Sequence, residues 1–228
     1  MNFFKNKKIL ITGGTGMIGI ALTNSLLKDG AIVTIVSLDK FKIKKKNLKL
    51  INKDLREFKN CMELCKNKDY VFHLAGIKGS PEMTKIKPAS FFVPTITFNT
   101  NILEAARRCG VKRTLYTSSI GVYNPAKIFY EDNMWKKPPS ENDKFAGWAK
   151  RMGELQAEAY AIEHSKSNIS IVRPANIYGP YDNFNPRLKL VEALYPKLAN
   201  RSTRSNFRIV PSGFVLSNTS SPLNPTTS

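Results

Sequence analysis

The residues with the plainest chemical use stand near the start of the chain. In Gly13-Gly14-Thr15-Gly16-Met17-Ile18-Gly19 the glycines permit a tight turn, let backbone N–H groups approach a phosphate, and allow the following helix to pack on its strand. A helix N-terminus at that turn adds partial positive charge for the anion. Asp39 falls where an acid would accept hydrogen bonds from the ribose hydroxyls of a dinucleotide and repel a 2′-phosphate. That favours NAD. Lys40 and Lys42 could pair with the same phosphate, so NADP stays open, as does a plain solvated turn for Asp39. Cys61, Cys65 and Cys109 have no His at ligand spacing, so no metal site is expected and the thiols read as free, in a reducing, cytosolic compartment.

The elements that must position these residues follow from the apolar pattern. Lys7 to Thr12 is a short apolar run ending in the glycine turn, and Met17 to Lys28 has helical spacing closed by Asp29-Gly30. Strands are predicted at 31–38, 48–51, 70–74, 112–118 and 169–173, and helices at 55–66, 88–109 and 146–164. A Pro-, Asn- and Asp-rich loop is expected from Asn124 to Asp143. The alternation predicts an α/β fold, a Rossmann-type doubly wound parallel sheet. Ala75 and Gly76, after the fourth of these runs, leave room for a ligand at the carboxyl edge of such a sheet.

Several further segments carry a family resemblance. They are Asp54-Leu55, His73-Leu74-Ala75-Gly76, Tyr116 to Tyr123, Trp148-Ala149-Lys150-Arg151-Met152-Gly153-Glu154, and Arg173 to Pro180. With the glycine turn, they make residues 7 to 182 resemble the extended short-chain dehydrogenase/reductase family, the NAD-dependent sugar-nucleotide epimerases, dehydratases and reductases. The resemblance implies hydride transfer between nicotinamide and a nucleotide-linked sugar. It implies cofactor-binding roles for Gly13, Thr15, Gly16, Met17, Ile18, Gly19, Asp39, Asp54, Leu55, Leu74, Ala75, Gly76, Thr117, Lys150 and Pro174, catalytic roles for Ser119 and Lys150, and substrate contacts from Ser119 and Asn176. It also implies a homodimer built through the Trp148 to Glu163 helix.

One departure bears on the chemistry. A Tyr four residues before Lys150 would share its helix face, and the ammonium would favour the phenolate needed for acid–base catalysis. That position holds Ala146, which has no proton to give. Three readings stay open: an inactive or altered enzyme, a subfamily with another acid–base group, or a shifted helix in which a different residue serves. Tyr123 and Tyr130 lie on nearby segments without the helical spacing. The alternative to an enzyme is a catalytically impaired, regulatory dinucleotide-binding protein.

The whole chain sets the remaining bounds. Its 228 residues can bury one main core, and its hydrophobic share of 42% is that of a globular protein. The formal charge of +19 is spread along the sequence with only Lys44 to Lys46 as a compact run, which favours phosphate-bearing small molecules over a specific nucleic-acid partner. No run reaches the roughly 18 apolar residues of a membrane span. Residues 1–185 are therefore expected to form an NAD(P)-binding domain. From Pro186 to Ser228, Glu192 is the only acid and Ser, Thr, Asn and Pro dominate the end, which predicts a poorly ordered tail and an incomplete or truncated substrate region.

Overall fold

The computed structural model describes residues 3–39, 45–77, 81–164, 168–179, 181 and 208–209. Lys40, Lys42 and nearly all of the segment after residue 185 thus lie outside the described residues. Six strands, β1 (Lys8–Thr12), β2 (Ile32–Val36), β3 (Leu48–Ile51), β4 (Tyr70–His73), β5 (Arg113–Thr117) and β6 (Ile169–Val172), form one sheet in the order β3-β2-β1-β4-β5-β6. Every pairing in it is parallel. This is the doubly wound order, and its carboxyl edge divides between β1 and β4. A second, antiparallel pair joins β7 (Ile177–Tyr178) to β8 (Arg208–Ile209).

Strand alternation explains why the central strands carry apolar residues toward both faces. Leu10, Val36, Val71 and Tyr116 point to the face covered by α2 (Phe58–Cys65) and α4 (Pro88–Arg108), where they pack with Leu64, Ile102 and Leu103. Ile9, Ile11, Val33 and Ile35 point to the opposite face and meet Leu26 of α1 (Met17–Lys28). Both faces are buried, so neither needs polar residues. The helix α5 (Lys144–His164) lies along α4.

Three expectations shift. Helix α2 begins at Phe58 rather than Leu55, because Asp54 Oδ1 accepts the backbone N–H of Arg56 at 2.9 Å and holds the chain in an Asx-type turn. The loop from Asn124 to Asp143 contains a 3₁₀ segment, Glu131–Lys136, which seats Met134 against Val122 and Tyr123. A six-residue helix, α3 (Pro81–Ile86), precedes α4; it is too short to show a helical period. Among the described residues no helix is long and apolar enough to cross a membrane, and no cluster of His, Cys, Asp or Glu could hold a metal ion. All three cysteines are free thiols.

Candidate functional site

The turn between β1 and α1 is shaped by its glycines. Gly13 has φ 66°, and a Cβ there would stand 2.9 Å from the backbone of Ala75; one on Gly19 would stand 2.5 Å from Gly14 Cα. Only glycine lets the turn, β4 and the first turn of α1 come this close. Gly16 is the N-cap of α1 and provides no side-chain hydrogen bond, so the first N–H groups of the helix remain available to an anion.

In front of this turn lies a groove with a cavity of about 480 Å³. Of the residues expected to hold the cofactor, Gly13, Thr15, Gly16, Asp39, Asp54, Leu55, Leu74, Ala75 and Gly76 line it together. Met17, Ile18 and Gly19 form the first turn of α1 behind them. Asp39 is fixed rather than free to swing: Thr15 donates to its Oδ2 at 2.7 Å, and its own N–H donates to Ser37 Oγ at 3.1 Å. Asp54 is held by Arg56, whose guanidinium nitrogens donate to both carboxylate oxygens at 2.5 to 3.1 Å and keep the carboxyl below its ordinary range. Lys53 and Arg56, which the sequence did not mark, also line the groove, as do Ser90 and Pro94 of α4.

A buried line of hydrogen bonds runs behind the groove from β1 to α5. The N–H of Ala75 donates to Thr12 Oγ1 at 3.1 Å, and Thr12 bonds His73 Nδ1 at 2.7 Å. His73 Nε2 bonds Asn99 Oδ1 at 2.8 Å, Asn99 Nδ2 donates to the Tyr116 hydroxyl at 3.0 Å, and that hydroxyl donates to the Lys150 carbonyl at 3.1 Å. Asn99 Oδ1 can only accept, which makes Nε2 the protonated nitrogen of His73 and Nδ1 the acceptor. Burial, with Lys150 nearby, pushes the His73 pKa down to about 3.

The other residues expected at the site, Thr117, Ser119, Lys150, Pro174 and Asn176, do not line the cavity of the groove; they lie on α5, at or beyond the end of β5, and after β6. Lys150 Nζ donates to the Thr117 carbonyl at 2.8 Å, and burial pushes its pKa down to about 8, with Glu154 opposing. Thr117 Oγ1 is a buried hydroxyl with no partner. Ser119 Oγ accepts the N–H of Gly121 at 3.1 Å, which leaves its own proton free to donate outward. The carbonyl of Pro174 accepts the N–H of Ile120 at 3.0 Å, and Asn176 is exposed. Ala146 is also exposed, one helical turn before Lys150.

Neither nearby tyrosine fills that gap. Tyr123 is buried, accepts from Arg173 Nη1 at 2.8 Å and packs on Phe129. Tyr130 is 58% exposed, and neither phenol bonds Lys150 or Ser119. Arg173 instead belongs to a buried clasp with Glu154, 2.7 Å from Nη2 to Oε2, to which Ser118 Oγ also donates. The sequence marked Glu154 and Arg173 only as parts of motifs. Their pairing across α5 and the end of β6 has no local signature.

A nicotinamide dinucleotide fits these donors: a glycine cradle that any Cβ would fill, uncapped helix N–H groups, a fixed acid at the end of β2, and an orphaned hydroxyl beside a lysine. Fold and groove together define a dinucleotide-binding protein of the Rossmann type. Residues 9–214 match the sequence model of the NAD dependent epimerase/dehydratase family, and the chain belongs to that family. The match runs past residue 182, where the recognisable motifs end.

Among relatives, a probable GDP-L-fucose synthase 1 of Oryza sativa subsp. japonica is 28% identical over 186 residues, which cover 80% of this chain and 53% of that protein. A UDP-N-acetyl-alpha-D-glucosaminuronate decarboxylase of Bacillus cytotoxicus is 32% identical over 184 residues, covering 76% and 56%. The solved UDP-glucose 4-epimerase of Thermotoga maritima aligns with a TM-score of 0.70 at 25% identity, covering 85% of this chain and 63% of that one. The chain spans about half the length of the curated relatives it matches.

Proposed function

We propose that this chain binds NAD in the groove and serves hydride transfer to or from the carbon of a sugar carried on a nucleoside diphosphate. The observation that carries the reading is the continuous lining from Gly13 and Gly16 through Asp39, Asp54, Leu55 and Leu74 to Ala75 and Gly76. In this reading the turn from Gly13 to Gly19, with Thr15, Met17 and Ile18, holds the pyrophosphate, Asp39 the ribose, and Asp54 and Leu55 the adenine. Thr117, Lys150 and Pro174 border the nicotinamide ribose, and Ser119 and Asn176 meet the sugar. When bound, the nicotinamide accepts or returns a hydride. Asp39 supports NAD over NADP, since a 2′-phosphate would face a carboxylate that no cation among the described residues bonds. The exposed Leu155 and Ile162 on α5 support a homodimer through that helix.

Ala146 favours a second reading, a dinucleotide-binding protein that does not turn over. One experiment separates the two. The protein is incubated with NAD⁺ or NADP⁺ and a panel of UDP- and GDP-sugars, with nicotinamide absorbance and sugar products followed beside calorimetric binding of each cofactor. The enzyme reading expects turnover of at least one sugar nucleotide, with NAD⁺ preferred. Binding of NAD⁺ without any product supports the second reading instead.

A further inference from the structure

The geometry points to Asp143 as the acid–base group that does the work of the missing phenol, an inference that rests on the enzyme reading above. Asp143 stands at the start of α5, where its carbonyl accepts the N–H of Gly147 at 2.6 Å. It lies three residues before Ala146 and seven before Lys150, so it shares the helix side that carries them. Gly147 and Gly121 let the two backbones meet, because a side-chain carbon on Gly147 would overlap the Gly121 carbonyl.

Two complementary groups close on Gly121 from different segments. A carbon placed on Gly121 would stand 3.3 Å from Asp143 Cβ and Cγ, a tight contact, and 3.5 Å from Ser119 Oγ. Asp143 is exposed at the surface there. A substrate oxygen that approaches from solvent and reaches both side chains can receive a hydrogen bond from Ser119 and exchange a proton with the Asp143 carboxyl. Ala146 is exposed beside it, so no bulky side chain from that position fills the approach.

The surroundings of Asp143 suit a base. Ser140 Oγ donates to Oδ2 at 3.3 Å and the Asp143 N–H donates to Ser140 Oγ at 3.2 Å. The charged neighbours on its own segment, Glu141 and Lys144, pair with each other at 3.6 Å. The segment packed against it, Ile120–Val122, carries no titratable side chain. Lys150 sits two turns further along the helix and bonds Thr117. Partial loss of solvent raises the carboxyl above its ordinary value and the Ser140 bond opposes the rise, which makes it a stronger base than a free aspartate.

The step balances. In the oxidative direction the substrate hydroxyl gives its proton to the Asp143 carboxylate, and the C–H hydride leaves with both electrons of its bond to the nicotinamide, forming a carbonyl. The reverse direction returns the proton from the Asp143 carboxylic acid to the reduced oxygen.

Two measurements test the assignment, one without turnover. In protein labelled with carboxyl-¹³C aspartate, the signal lost in Asp143→Asn identifies the group; it should titrate above the ordinary 3.8 and higher still in Ser140→Ala. Titration at or below 3.8 overturns the inference. With NAD⁺ and UDP-glucose, UDP-N-acetylglucosamine and GDP-mannose as probes, Asp143→Asn should cut turnover about 100-fold or more while leaving NAD⁺ affinity unchanged. Asp143→Asn/Ala146→Tyr should regain turnover, now with the pH profile of a phenol. Unchanged turnover in Asp143→Asn overturns the inference. A wild-type protein that turns over none of the probes, whether or not it binds NAD⁺, would instead overturn the enzyme reading on which the inference rests.

Discussion

At the scale of single residues, the site combines side chains fixed by local rules with others fixed only by the fold. Gly13 and Gly19 are of the first kind, because a tight turn against a strand demands glycine and leaves a readable spacing. His73 is of the second kind. Its partners Thr12, Asn99 and, beyond them, Tyr116 come from β1, α4 and β5, so the sequence showed only a histidine at a strand end. The same limit hid Asp143, whose neighbour Ser119 lies on a different segment. The hydrogen-bond line makes a direct prediction for His73: the ring stays neutral, with the proton on Nε2, from pH 8 to pH 5. Long-range ¹H–¹⁵N NMR reads this, and a titration near 6.5 would refute it. An unfolded histidine protonates near 6.5 and the folded ring only near 3, so this group gives its full contribution to stability above 6.5 and loses it as pH falls toward 3.

At the scale of elements, long periodic segments were legible and short or irregular ones were not. Helix α1 and strand β3 fall at the boundaries the apolar pattern set, Met17–Lys28 and Leu48–Ile51. The start of α2 moved because Asp54 bonds the backbone of Arg56, a local competitor that apolar spacing cannot register. The pair α4 and α5 illustrates how tertiary contacts finish the design. Glu104 of α4 receives Arg107 and Arg108 from its own helix and the Tyr160 hydroxyl of α5 at 2.6 Å. Arg107 first, then Tyr160 and Arg108, hold its pKa down to about 2.

A carboxyl depressed in this way stabilises the fold above its unfolded value near 4.5 and loses that contribution as pH falls through about 2. Glu104→Gln should therefore cost about 1 kcal/mol at neutral pH, the range of a solvent-screened ion pair, and progressively less below pH 4.5. Urea unfolding of both proteins at several pH values checks it. A deficit that does not shrink on acidification would show that the ionised form of Glu104 does not clasp the helices.

At the scale of the molecule, the parallel sheet brings the ends of β1, β2 and β4 to one edge, and this is why a turn, an acid and a pair of small residues far apart in sequence share one groove. The sheet was legible because six apolar runs alternate with helical patterns, and the cofactor half of the site followed from it. The half around Lys150 was less legible, because it depends on how α5 approaches the end of β5 across Gly121 and Gly147. The groove in front of Gly16 is where the proposed dinucleotide would sit. Gly16 has φ −77° and an added Cβ would meet only the Gly13 carbonyl, at 3.4 Å, so a larger side chain there blocks the groove without forcing the backbone. The most direct measurement is calorimetric titration of NAD⁺ into wild type and Gly16→Leu, with thermal unfolding as the control for fold. One NAD⁺ should bind per wild-type chain, and affinity should fall about tenfold or more in Gly16→Leu at an unchanged unfolding temperature. A wild-type protein that does not bind NAD⁺, or a Gly16→Leu variant that binds it equally well, would contradict the account.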